Sequence, residues 1–123
     1  MRLRSILLVV VTGALALSGV AYAANSATAV TPPIKITVTL KDYSFGWSRS
    51  SVPKGSTVIF TVKNAGTVQH NVDFTTISKR SAIIQPGAKT TLKVVFKKKG
   101  SIQVVCDVPR HIQLGMVSTF KVK

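Results

Sequence analysis

Beyond the first thirty-odd residues, apolar side chains fall at every second position in run after run, and no run repeats at helical spacing. Ile36, Val38 and Leu40 alternate with Thr37 and Thr39, and Val58, Phe60 and Val62 alternate with Thr57, Ile59 and Thr61. Leu92, Val94 and Phe96 lie opposite Thr91, Lys93 and Val95. Two further sets, Ile102–Val104–Cys106 and Met116–Phe120–Val122, keep the same phase, as do His70, Val72 and Phe74. Period-2 patterning puts one side of each run in a core and the other in water, which is the signature of half-buried strands. Between the runs stand the breakers Pro53-Lys54-Gly55, Asn64-Ala65-Gly66, Pro86-Gly87 and Gly100. Short strands at regular spacing predict an all-β fold, a Greek-key antiparallel β-sandwich.

Three residues in core phase are not ordinary core residues. Cys106 follows Ile102 and Val104, His70 precedes Val72 and Phe74, and Met116 precedes Phe120 and Val122. Each is therefore expected to point inward from a strand end. His111 lies between Cys106 and Met116 on a connection that has to reverse direction, where Pro109 and Gly115 suit a turn. A thiolate, two imidazoles and a thioether form the ligand set of a blue-copper site, in which two His and one Cys are trigonal and the Met is long and axial. Soft sulfur favours Cu(I) and imidazole suits both oxidation states, so such a set needs little rearrangement on electron transfer.

Taken singly, each residue has a plainer reading. A strand His is commonly a satisfied core or edge residue, a Met near a strand start is core filler, and a lone Cys is a small buried hydrophobe. The combination is what decides. The chain has one Cys and two His, all in this pattern, and its only other Met is Met1.

The first residues read as a targeting segment. Arg2 and Arg4 precede an apolar stretch from Ile6 to Val20, and Ala21-Tyr22-Ala23 fits a signal-peptidase site. Residues 1–23 are thus predicted to be a signal peptide, 24–33 a flexible leader, and 34–123 one domain, periplasmic or secreted. A single Cys forms no internal disulfide, and in an oxidising compartment metal ligation accounts for an unpaired thiol.

With these motifs in hand the chain resembles the cupredoxin family, and its plastocyanin-like members in particular. The resemblance rests on Cys106-x4-His111-x4-Met116 after His70-Asn71, with Asp42-Tyr-Ser-Phe45, Val52-Pro-Lys-Gly55, Asn64-x-Gly66 and Pro86-Gly87 in the expected order. It implies one type 1 copper ion held by His70, Cys106, His111 and Met116. It also implies that Asn71 ties the two ligand-bearing loops together. Asp107 itself reads as an acceptor for Asn71 that stabilises Cu(II) electrostatically, or else as a solvated carboxylate. Arg110 stands where similar loops commonly have Gly, and Asp107 where a small polar residue is frequent.

The expected function is single-electron transfer between redox partners by Cu(II)/Cu(I) cycling, with copper trafficking or storage as the alternative. The absence of Met-rich or His-rich tracts disfavours the alternative. Catalysis by a Cys106–His111 pair is not expected, because no carboxylate in the sequence is evidently placed to orient it. The formal net charge is +14, or +12 without Arg2 and Arg4, against only Asp42, Asp73 and Asp107. Such a balance points to acidic redox partners or an anionic surface, or equally to solubility in an unusual extracellular setting. Nucleic acid is not expected, since arginines are few and the aromatics fall in core phase. A monomer with no transmembrane segment in the mature chain is expected. Lys97-Lys98-Lys99 before Gly100 reads as a solvated hairpin turn, or else as a docking patch. Val108, Pro109, Ile112 and Leu114 read as an apolar rim around His111, and Tyr43, Phe45 and Trp47 as either core or partner surface.

Overall fold

The computed structural model describes residues 13–14, 18–20 and 31–123, so the expected signal peptide and leader lie outside it but for 13–14, 18–20 and 31–33. Nine strands follow: β1 (Ile34–Lys41), β2 (Ser44–Trp47), β3 (Ser51–Val52), β4 (Thr57–Asn64), β5 (Asp73–Phe74), β6 (Lys79–Arg80), β7 (Lys89–Val95), β8 (Gly100–Val105) and β9 (Val117–Val122). They form two sheets, ordered β2-β1-β4-β7 and β3-β9-β8-β5-β6. Among the described residues no helix is long and apolar enough to cross a membrane.

The alternating faces meet between the sheets. Val58, Phe60 and Val62 of β4 and Val38 and Leu40 of β1 are fully buried, with Val104 and Phe120 opposite them. Phe60, Phe74, Phe96 and Phe120 form one aromatic cluster, with ring centroids 5.0 to 6.2 Å apart. Full burial of one such side chain is worth roughly 1.5–3 kcal/mol. Trp47 closes the cluster against Phe60 and Phe120, and its indole N–H donates to Ser118 Oγ at 3.0 Å. Phe45 stacks on Trp47, so both serve packing.

The all-β sandwich is the one expected, and two of its pairings, β1–β4 and β3–β9, are parallel. Alternation of side chains is the same in either direction, so the sequence pattern carries no strand polarity. The lysine run Lys97–Lys99 does not turn a hairpin. It carries the chain from β7 in one sheet to β8 in the other. A breaker marks where a strand stops and says nothing about which strand the next one joins.

Strand direction sorts the loops by end. β1 and β4 run toward Asp42 and Asn64, and β8 runs toward Cys106. The segments at that end carry His70, the loop from Cys106 to Met116 and the start of β9. Lys97–Gly100 lies at the opposite end.

Candidate metal centre

Cys106 immediately follows β8 and Met116 immediately precedes β9. These two strands pair along their length, from Gly100↔Val122 to Val105↔Val117, so the ends of the loop are held side by side. Cys106 N–H donates to the Met116 carbonyl at 3.2 Å, and Met116 N–H donates to the His111 carbonyl at 3.0 Å. His111 N–H in turn donates to the Val108 carbonyl at 3.1 Å. The loop therefore has a fixed course. Arg110 takes a left-handed φ of 72° within it, a conformation that Gly adopts at less cost. His70 is fixed separately, by reciprocal backbone bonds with Ile84 of 3.1 and 2.9 Å.

Asn64, buried at the end of β4, organises the turn that delivers His70. Its side-chain N–H groups donate to the carbonyls of Val68 and Ile84, both at 2.9 Å, and its oxygen accepts from Gly66 N–H.

The result is a triangle of donors. His70 Nδ1 and His111 Nδ1 are 3.1 Å apart, Cys106 Sγ lies 3.3 Å from His111 Nδ1, and Cys106 Sγ lies 3.8 Å from His70 Nδ1. A triangle with these sides has a centre about 2.0 Å from every corner, which is the bond length of a first-row metal to imidazole nitrogen. Two Nδ1 atoms at this distance need a proton or a cation between them. His70, Cys106 and Met116 are fully buried, and His111 is 7% exposed. These three donors thus suit a metal in size and chemistry. Met116 is brought to the same end of the core with its backbone bonded to both Cys106 and His111.

The surroundings set the protonation states. His70 Nε2 donates to Asp42 Oδ1 at 2.7 Å. Hydrogen bonds from the Thr67 hydroxyl, from His70 and from the Thr67 amide hold the Asp42 carboxyl far below the usual carboxylate range, so it is the ionised acceptor. The Nε2 proton is thereby fixed, and the His70 Nδ1 lone pair faces the centre of the triangle. Burial lowers the His111 pKa, helped by the nearby His70, which favours the neutral imidazole that ligates metals. Burial raises the Cys106 pKa, opposed by the Asn71 and Val108 amides. The Asn71 N–H lies 3.4 Å from Cys106 Sγ. The Asn71 side chain donates to Asp107 Oδ1 at 2.7 Å and accepts from the Asp107 amide at 2.9 Å. These are the bonds between ligand loops that the resemblance implied. Arg80 reaches the other Asp107 oxygen at 3.0 Å.

Two further features escaped the sequence reading. An orienting carboxylate is present after all, Asp42, 28 residues before His70 and brought to it by the end of β1. It does not make a nucleophile of Cys106, whose thiol is fully buried and whose pKa is raised, the reverse of an activated thiol. Gly66 is the second feature. A Cβ there would overlap Asp42 Oδ1 and lie 2.8 Å from His70 Nε2, so only Gly admits the Asp42–His70 bond. The clues were the scarcity of acids and the Gly two residues after Asn64, and neither names its partner. Tyr43 packs edge-on against the His111 ring with centroids 5.0 Å apart, so it belongs to the site. Val108 is core, leaving Pro109, Ile112 and Leu114 as the exposed apolar residues beside His111.

A family model described as a cupredoxin-like domain matches residues 6–117. The chain belongs to the cupredoxin-like family. Solved structures agree in fold. A dithionite-reduced auracyanin from Roseiflexus castenholzii superposes with a TM-score of 0.58 at 21% identity, over 76% of this chain and 98% of that one. Auracyanin A, a "blue" copper protein from Chloroflexus aurantiacus, gives 0.59 at 18% identity, over 75% and 100%. A chain of a heme-copper terminal oxidase dimer gives 0.62 at 18% identity, over 72% of this chain and 63% of its own. No curated relative matches in sequence. The family and the buried His70–Cys106–His111 donors agree in pointing to a metal site.

Proposed function

We propose that this cupredoxin-like protein is an exported carrier of single electrons with one type 1 copper ion held by His70, Cys106, His111 and Met116. The observation that carries the proposal is the buried triangle of two imidazole nitrogens and one thiol sulfur around a point about 2.0 Å from each. When bound there, copper supplies a one-electron Cu(II)/Cu(I) couple.

The chain's own residues keep the geometry the same for both oxidation states. Asp42 locks the His70 ring, and the Asn71–Asp107 bonds hold the His70 segment to the Cys106 loop. The Asn71 amide directs a hydrogen bond at the Cys106 sulfur, stabilising negative charge on it. Met116, buried with its backbone tied to Cys106, would be the fourth side chain to hold the ion. His70, Cys106 and Met116 are fully buried, which keeps water from the site. The exposed Ile112 and Leu114 beside His111 give acidic redox partners a small apolar face for brief docking, and a buried ligand set leaves no room for substrate. The residues from Arg2 to Ala23 supply the export signal.

The test is a visible spectrum of the purified protein with one equivalent of Cu(II). An intense thiolate-to-copper band that bleaches with dithionite and returns on reoxidation is expected, together with its loss in Cys106→Ser. A colourless protein that takes only Cu(I) replaces electron transfer with copper trafficking. No binding in either state overturns the ligand assignment.

A further inference from the structure

The charge of this chain is sorted along the sandwich. All three carboxylate side chains lie at the metal end: Asp42 on His70, Asp107 beside Cys106, and Asp73 paired with Val105 at the end of β8. The opposite end has none. Lys97, Lys98 and Lys99 link β7 to β8 there, and Lys54, Lys121 and Lys123 converge on them. The convergence follows from three contacts. Lys121 pairs with Ser101, Lys54 N–H donates to the Lys123 carbonyl at 2.8 Å, and Gly55 N–H donates to the Phe96 carbonyl at 2.7 Å. All six lysines are exposed. Between Lys79 and the Lys97–Lys99 run lies a cleft of about 580 Å³ floored by Ile77, Phe96 and Ile102.

The chain also enters the domain at this end. Thr31, Pro32 and Ile34 lie against Pro53–Thr57, and Ile34 pairs with Val58. Whatever precedes Thr31 in the exported protein therefore leaves from the same face that carries the lysines. An acidic protein partner would account for the lysines alone. Six exposed lysines spread over the whole end, with no carboxylate side chain among them, suit a broad field of anionic headgroups better than one shaped acidic patch.

We propose that the lysine end of the sandwich is a binding face for an anionic lipid surface, which holds the opposite end toward solvent. Ammonium groups spread over one end attract lipid headgroups through the surface potential without needing one shaped site. Cys106 lies one residue beyond the six-residue β8 that starts at Gly100, so the metal end stands about 20 Å or more from the headgroups at 3.3–3.4 Å per residue. The site is then presented to diffusing partners, and its carboxylates lie beyond a Debye length of the lipid charge. This holds whether or not the site carries copper.

The test is vesicle co-sedimentation of the full chain at low ionic strength. Vesicles of phosphatidylglycerol with phosphatidylcholine are compared with phosphatidylcholine alone. The ratio of the two partition coefficients removes whatever the apolar segment contributes to both. Replacing Lys97, Lys98 and Lys99 together by Gln is expected to lower that ratio by roughly 100-fold, from the usual worth of a lysine near a charged surface. Replacing Lys41, Lys63 and Lys89, which lie toward the metal end, is expected to lower it by less than about threefold. Circular dichroism of both variants checks that the sandwich is intact. Equal falls in the two variants would overturn the proposal, since net charge and not its placement would then govern binding. A ratio near one for the unaltered chain, with the lysine end instead capturing poly-glutamate, would overturn it in favour of an acidic protein partner.

Discussion

Gly66→Ala adds one methyl group at the point where the site has least room. The new Cβ would overlap Asp42 Oδ1 and come within 2.8 Å of His70 Nε2, closer than real contacts of this kind allow. Asp42 cannot swing away freely, because its other oxygen accepts from both the amide and the hydroxyl of Thr67. His70 cannot retreat either, being fully buried and bonded through its backbone to Ile84. The bond between them therefore breaks, and the His70 ring loses the acceptor that fixes its tautomer. Loss of such an outer partner lowers metal affinity by about 10–100-fold. The packing strain itself costs about 1–3 kcal/mol. Copper affinity measured by competition with a chelator, beside a thermal melt of the metal-free protein, separates the two effects. Asp42→Asn is the companion variant. It keeps the shape and an acceptor oxygen while removing the charge, and is expected to weaken copper less than Gly66→Ala does. Unchanged copper affinity in Gly66→Ala would refute the reasoning, as would a melt that collapses along with it.

Phe60→Ala removes the ring at the centre of the aromatic cluster and is expected to cost about 3–5 kcal/mol in denaturant unfolding, with the ligands untouched. Arg110→Gly relieves a left-handed backbone at φ 72° and is expected to stabilise the fold by up to about 1 kcal/mol, read as a rise in melting temperature. Asp107→Asn removes a negative charge next to Cys106 and is expected to raise the reduction potential in a redox titration, whereas no change would show that Arg80 already neutralises it. In the metal-free protein, burial depresses the His111 pKa, so the unfolded chain binds the extra proton. Its contribution is therefore complete above the ordinary imidazole value of 6.5 and is lost as pH falls below it. Cys106, raised by burial, acts with the opposite sign, and stability falls as pH climbs past its ordinary 9.0. Denaturant midpoints across this range, with His111→Gln and Cys106→Ser as controls, read both limbs.

That His70, Cys106 and Met116 face the core was legible because strand phase is a local property. Once Cys106 shares the parity of Ile102 and Val104, and Met116 that of Phe120, both have to face the core whatever the topology. His111 was found by its place in the loop between them, and Asn71 by resemblance. Asp42 was not legible as a partner of His70. It lies outside any alternating run, and its contact depends on where the end of β1 falls relative to a loop 28 residues later. Gly66 looked like an ordinary breaker, since the sequence gives no sign of what a Cβ there would strike.

What the chain determined by itself was its class and its chemistry. Alternating apolar residues between Gly and Pro breakers allow little but stacked sheets, and one Cys, one His and one Met in core phase, with His111 in the loop between two of them, are the candidate donors. Only the tertiary structure decided that β1 and β4 run parallel, that Lys97–Lys99 crosses between sheets, and that Asp42 and Gly66 complete the site. The physical reason is the range of the interactions. Side-chain parity is set by neighbours two residues apart, while sheet order and the approach of one loop to another are set by packing the whole core at once.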